Sequence, residues 1–434
     1  MPGPIREAPP PAPHKVRFEI PVDIATNPDE RDERAGEGNR PREDIMKVSF
    51  TGLSAAALLL LGTSLGAQAD TIKVGVVAPF SGPFALYGKQ FQEAIEVYQA
   101  EHGTTAGEHE IEFIYKDSGG PNPDQARSLT QELLIKEQVD YLAGYVFTPN
   151  AMAVAPLLDQ SETPLVIFNA ATSAINAQSE FYLRTSYTLW QVSMPLAEWA
   201  YEQGIRSVVT TVTDYGPGID AENAFVAAFT EAGGEVLDSI RMPLSTTDFT
   251  PFIQSIRDQS PDALFTFLPG GPPTFGFTKT YNENGLRDEG IMFLGTAETE
   301  ESNLQAFGDA AIGLTTAYHY SADHDSDMNR AFIAKNLELH PDSVTNWATI
   351  GAYDGTHLIY EMVEAAGSDG PAAIEAAKGL EWESPRGPLV MDPETRTVVQ
   401  NVYIREVERD AESGLLVNRE KGVIATVGDL GWGK

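Results

Sequence analysis

Cysteine is absent from all 434 residues, which excludes disulfides, thiol catalysis, zinc–thiolate sites and iron–sulfur ligation. The same absence excludes a lipid-modified N-terminal cysteine, so an exported form is expected to be unanchored. Basic residues are scarce: 29 Lys and Arg against 63 Asp and Glu leave a formal charge of −34. Nucleic acid and an anionic membrane surface would both repel such a chain and are excluded as partners. The longest apolar run falls short of the roughly 20 residues a membrane-spanning helix needs. No G-x-G-x-x-G opens a helix after a strand, and no G-x-x-x-x-G-K-[ST] occurs, so nucleotide sites have no signature and no cofactor is expected.

What is present begins with a leader. Residues 46–70 read MKVSFTGLSAAALLLLGTSLGAQAD, with one lysine, an apolar core and an Ala-x-Ala end. That is the pattern of a secretory signal peptide over 46–69, cleaved before Asp70. Residues 1–45 are rich in proline and charge without periodicity and read as disordered. Met46 is therefore expected to be the true start, and 1–45 an upstream extension. Residues 1–69 hold 8 basic and 10 acidic residues, so residues 70–434 keep a net charge of −32 and the acidity belongs to the folded part. The one G-x-S-x-G match, Gly62 to Gly66, falls inside the leader and is a chance match.

From Thr71 onward short apolar runs alternate with helical patterns. Strands are predicted at 72–78, 111–116, 139–143 and 164–168, with helices at 88–101 and 123–137, the latter capped by Asn122. The rhythm restarts after Trp190, with strands at 207–212, 235–240, 262–268 and 291–294 and helices at 217–232, 248–259 and 274–284. Strands rich in Val, Ile and Phe with helices between them mean parallel sheets covered on both faces, hence an α/β fold with two doubly wound lobes. After Tyr320 helices follow near 325–339 and 343–366. RGPLVMDPETRTVVQNVYIREV then alternates like an antiparallel hairpin.

Ligands of doubly wound sheets bind beyond the carboxyl ends of the strands. The loops there hold Phe84 and Tyr87, Phe147 and Thr148, Ala170 and Thr172, Tyr215, Gly270, and Glu298. They offer hydroxyls, backbone N–H groups and aromatic rings with almost no charge, which suits a small carboxylate with an apolar remainder. No acid, base and nucleophile converge, so no catalysis is expected. His319 to Asp327, HYSADHDSD, has the composition of a metal site but reads as a solvated loop in an acidic chain.

These loops, with VGVVAPFSGPFALYG, DSGGPNPDQARSL, RTS at 184–186, DYGPG, PLSTTDFTPFI, PDALFTF and SPRGPLVMD, resemble the leucine/isoleucine/valine-binding family, the type I periplasmic substrate-binding proteins of ABC transporters. The resemblance runs from Thr71 nearly to the C-terminus. It implies two Rossmann-like lobes joined by a three-crossover hinge. The first would combine 70–188 with 321–386, and the second 189–320 with 387–434.

By the same resemblance Thr148, Ala170 and Thr172 would hold the ligand carboxylate, with Tyr87 and Tyr215 as facing aromatics. Glu298 would match the acid that pairs with an amino-acid ammonium, shifted by one position. Pro272 and Pro273 replace the aromatic expected beside Gly270, and both departures argue against a free α-amino acid. Phe84, Phe147, Trp190, Tyr215 and Tyr353 would enlarge the apolar wall for an aromatic acid. The reading is a monomeric periplasmic receptor that delivers a small carboxylate to an inner-membrane ABC permease. Its rivals are a branched-chain amino-acid receptor of the same family, a ligand-sensing partner of a membrane receptor, and a secreted α/β hydrolase.

Overall fold

The structure, a computed structural model, describes residues 70–433; the expected extension 1–45 and leader 46–69 lie outside the described residues. The first sheet carries β1 (Thr71–Ala78), β2 (Thr105–Ala106), β3 (His109–Asp117), β4 (Tyr141–Gly144), β5 (Leu165–Ile167) and β6 (Tyr182–Arg184), in the order β2-β3-β1-β4-β5-β6. Only the short hairpin strand β2 runs antiparallel, and β1 is flanked in parallel by β3 and β4. Among the connecting helices are α1 (Ala85–His102), α2 (Pro123–Glu132), α3 (Thr148–Met152) and α4 (Ala155–Ser161). As predicted, the Asn122 side chain caps α2, accepting from the Gln125 N–H at 3.1 Å. The predicted helix 123–137 changes at Leu133, where one wide turn over Leu133–Glu137 leads into β4.

The second lobe opens with α5 (Leu189–Glu202), started by a Thr188/Gln191 capping box. It continues through β7 (Ser207–Thr213), α6 (Gly216–Glu231), β8 (Glu235–Met242), α7 (Thr250–Gln259), β9 (Ala263–Phe267), α8 (Pro272–Glu283), β10 (Met292–Gly295), α9 (Glu301–Phe307) and β11 (Thr315–Tyr318). The chain then returns to the first lobe with α10 (Asp327–Leu339), α11 (Trp347–Ala366) and α12 (Gly370–Ala377). Here α10 and α11 pack on α1. Four strands complete the second sheet: β12 (Glu381–Ser384), β13 (Gly387–Met391), β14 (Val398–Arg409) and β15 (Leu416–Val427). Its order is β12-β13-β14-β11-β10-β9-β7-β8, with β15 paired to β14.

The chain thus passes three times between two α/β lobes, between β6 and α5, between β11 and α10 and between α12 and β12. One detail differs from the reading of the sequence: β12 pairs with β13, so residues 381–386, expected in the first lobe, join the second sheet. Arg386 is fully buried where the crossovers meet. Its guanidinium donates to Asp354 on α11 at 2.7 Å, to the Thr185 and Ser186 carbonyls, and to Gln400 on β14. One side chain therefore ties the first lobe, a crossover and the second sheet together. Among the described residues no helix is long and apolar enough to cross a membrane.

Candidate ligand-binding site

Strand order reverses at β1, between β3 and β4, and at β7, between β8 and β9. A crevice opens beyond the strand ends at such a switch point. The loops that follow β1, β4, β7 and β9 converge on one tight cavity of about 50 Å3 between the lobes. The first lobe contributes Tyr87, Phe147, Thr148, Asn169 and Ala171, and the second Tyr215, Phe267, Pro269, Gly270 and Ala297. Tyr187 reaches it from the first crossover, Tyr318 from the end of β11, and Trp347 from the start of α11.

Aromatic rings dominate these walls. Tyr87 lies with its centroid 4.7 Å from Trp347, Tyr215 stacks on Phe267 at 6.2 Å, and Tyr187 meets Tyr318 edge-on at 4.9 Å. Burial raises the hydroxyls of Tyr87, Tyr187, Tyr215 and Tyr318, so each keeps its proton and presents a neutral dipole. The polar end is formed by Thr148, whose Oγ1 lies 2.9 Å from Thr172 Oγ1. Helices α6, α8 and α11 begin at the cavity, at Gly216, Pro272 and Trp347, so the positive ends of their dipoles lie beside it. Pro217, Pro272 and Pro273 carry no N–H, however, and the first N–H groups of α11 are taken by Asn346. No charged side chain lines the walls. The field inside therefore favours an anion without supplying a fixed counter-charge.

Of the residues singled out in the sequence, Tyr87, Phe147, Thr148, Tyr215 and Gly270 line the cavity. Phe84 stands behind them, edge-on to Phe147 at 5.0 Å. Thr172 acts through Thr148, and the buried Ala170 uses its carbonyl to accept from Arg184, while its neighbour Ala171 faces the ligand space. Two residues are elsewhere. Tyr353 packs between Tyr98 and Phe332 in the first lobe, and its hydroxyl donates to Glu101 at 2.7 Å. Trp190 lies against Gly431 and hydrogen-bonds Asp220, because the first turn of α5 faces the C-terminal segment and not the cleft.

Glu298 is fully buried behind the wall. Its carboxylate accepts from the N–H groups of Leu268 and Thr296, and burial pushes its pKa up to about 7. The acid is thus used by its own lobe's backbone and does not line the cavity. Sequence reasoning missed Tyr187, Tyr318 and Trp347. The Asn346 capping box that starts α11 was a usable local signal, since it places Trp347 at the first turn.

His319 also departs from the solvated-loop reading. β11 runs straight into the hinge, so the His319 ring is fully buried and stacked on Tyr187 at 4.6 Å. Burial, and secondarily Arg386 and Arg405, hold it neutral. Asp325 and Asp327 of the same motif do stay at the surface, where they pair with Arg330. No cluster suited to a metal ion occurs among the described residues.

Residues 71–412 match the family described as periplasmic binding protein. Over 392 residues the chain is 49% identical to Leu/Ile/Val-binding protein homolog 6 of Brucella abortus (strain 2308), covering 89% of this chain and 99% of the relative. The solute-binding protein of an ABC transporter from R. palustris, solved in complex with 4-hydroxybenzoate, superposes with a TM-score of 0.81 at 47% identity over 84% of this chain and 99% of that one. A second from Rhodopseudomonas palustris BisB5, solved with 3,4-dihydroxybenzoic acid, gives 0.79 at 42% identity over 83% and 99%. The switch-point cleft between two α/β lobes and these matches lead to one conclusion: the chain belongs to the periplasmic binding protein family.

Proposed function

We propose that the protein is the periplasmic receptor of an ABC importer and captures a small aromatic carboxylate, a hydroxybenzoate first of all, between its lobes. The observation that carries the reading is the chemistry of the cavity. Its walls hold seven aromatic rings and no charged side chain, and Glu298, buried behind them, accepts from backbone N–H groups. A free amino acid would bury an ammonium there without a partner, which costs several kcal/mol. A flat ring instead finds faces and edges to stack on. Its carboxylate would meet Thr148 and the helix starts, while phenolic hydroxyls would meet the protonated tyrosines.

The proteins solved with 4-hydroxybenzoate and 3,4-dihydroxybenzoic acid support this choice at 47% and 42% identity. Delivery to an inner-membrane permease, residence in the periplasm, a monomeric state and the absence of turnover belong to the same proposal. So does hinge closure of the two lobes about their crossovers.

The test is calorimetry of the purified protein with 4-hydroxybenzoate, 3,4-dihydroxybenzoate, benzoate and leucine. One-to-one binding of the aromatic acids, unchanged on recovery, is expected. Binding of leucine alone overturns the assignment in favour of a branched-chain amino-acid receptor, and conversion of any acid points to an enzyme.

A further inference from the structure

The cavity at the switch points is not the larger one. A second, of about 330 Å3, lies on the flank of the molecule beside the middle crossover. Its first-lobe wall is α10, through Ile333 and Leu337, with the loop at Val344 that follows it. Its second-lobe wall is α9 and the start of β15, through Leu304, Leu415 and Leu416. Of the large apolar side chains left exposed among the described residues, Leu337, Val344 and Leu415 all line this one cavity at 40–53% exposure. Such a concentration is unusual, since exposed apolar residues normally scatter singly. A volume above roughly 300 Å3 is in the range of small-molecule pockets.

The polar groups of this cavity have one sign. Glu301 and Asp323 are its charged members. Arg405 and Asn418 donate to Glu301, while Arg419 and the Glu420 N–H donate to Asp323. Asn418 is 3% exposed, and its Nδ2 donates to the Thr299 carbonyl at 2.6 Å and to Glu301 at 2.8 Å. Its Oδ1, buried as well, has no hydrogen-bond partner. The carboxylates of Glu301 and Asp323 keep lone pairs for a ligand that donates a hydrogen, whereas a ligand carboxylate would face both acids.

We infer that this flank cavity is a second small-molecule site, for an apolar body carrying a hydrogen-bond-donating, neutral or cationic head group. Its chemistry is the reverse of the anion-favouring cleft, and the inference does not depend on what the cleft binds. Because its walls come from both lobes, an occupant bridges them beside the hinge.

Cyclohexylmethylamine, cyclohexylmethanol and cyclohexylacetate present one apolar body with three head groups and serve as probes, titrated into the full chain by calorimetry and protein-observed NMR. The amine and the alcohol are expected to bind saturably. Binding should weaken at least tenfold in Leu337→Trp and in Val344→Trp, which fill the cavity from exposed positions on the first-lobe wall, and should survive Tyr87→Ala in the cleft. Three results overturn the inference. One is no saturable binding of either probe. Another is binding that Tyr87→Ala abolishes and both tryptophan variants leave intact. The third is cyclohexylacetate binding as tightly as the amine at the site the tryptophan variants block.

Discussion

Tyr87 of the first lobe and Gly270 of the second meet edge to backbone across the cleft: a Cβ built on Gly270 would lie 2.1 Å from the Tyr87 hydroxyl oxygen. Glycine is needed here for close approach, since its φ is not in the left-handed region. Gly270→Ala is therefore expected to hold the lobes apart while leaving each fold intact. Affinity for 4-hydroxybenzoate should fall at least about tenfold, or about 1.4 kcal/mol. Adding Tyr87→Phe removes the obstructing oxygen and should restore part of the loss. Calorimetry on the single and double variants checks it; equal affinity for Gly270→Ala and wild type rules out the contact as a closure limit.

Thr148 and Thr172 form a hydroxyl pair at the polar end, and Thr148 is the member that lines the cavity. Thr148→Ala removes a donor from a buried carboxylate and should weaken binding by about 1–3 kcal/mol. Thr172→Ala acts only by releasing Thr148 and should cost less. The reverse ranking would mean that the carboxylate sits against Thr172.

How far the sequence foretold this site follows from where its parts lie along the chain. β1, β4, β7 and β9 were legible because buried parallel strands are short apolar runs, and Tyr87, Phe147, Thr148, Tyr215 and Gly270 came from the loops beyond such strand ends. Trp347 was legible only in its place at the start of α11. It lies 260 residues from Tyr87, which it touches, and nothing local to an α11 start announces that contact. Tyr187 and His319 belong to crossovers that come together only when both lobes have formed, so His319 read as surface from its acidic neighbours. Trp190 erred the other way: no helix was read over 189–202, and the C-terminal segment that covers it has no sequence signal near position 190.

Arg386 and Asp354 form a fully buried ion pair at the crossovers, at 2.7 Å. Asp354→Ala leaves the guanidinium buried without its counter-charge, which should destabilise the protein by about 3–5 kcal/mol. Replacing both, as Asp354→Leu with Arg386→Met, removes the uncompensated charge and should cost less than the single variant. Urea denaturation followed by circular dichroism measures both. A single variant within about 1 kcal/mol of wild type would falsify the staple.

Glu300 is expected to make closure depend on pH. It lies just before α9 in the second lobe, buried, and accepts from Asn346 of the first lobe at 2.6 Å, with Gln90 and Ser302 around that bond. Burial, with the Glu301 charge adding to it, pushes its pKa up to about 7, while its hydrogen bonds pull the other way. With the lobes parted the carboxyl returns to water and toward the ordinary value of about 4.3. Closure then takes up a proton between these two values. The stabilisation is fully present below about pH 4.3 and is lost as pH rises through about 7. Affinity for 4-hydroxybenzoate should therefore fall as pH rises from 5 to 8, by less than tenfold per unit for one proton, and flatten above 8. Glu300→Gln keeps the shape and an acceptor for Asn346 but cannot titrate, so its affinity should be nearly level over the same range. A wild-type profile with the same slope as Glu300→Gln would assign the pH dependence to another group.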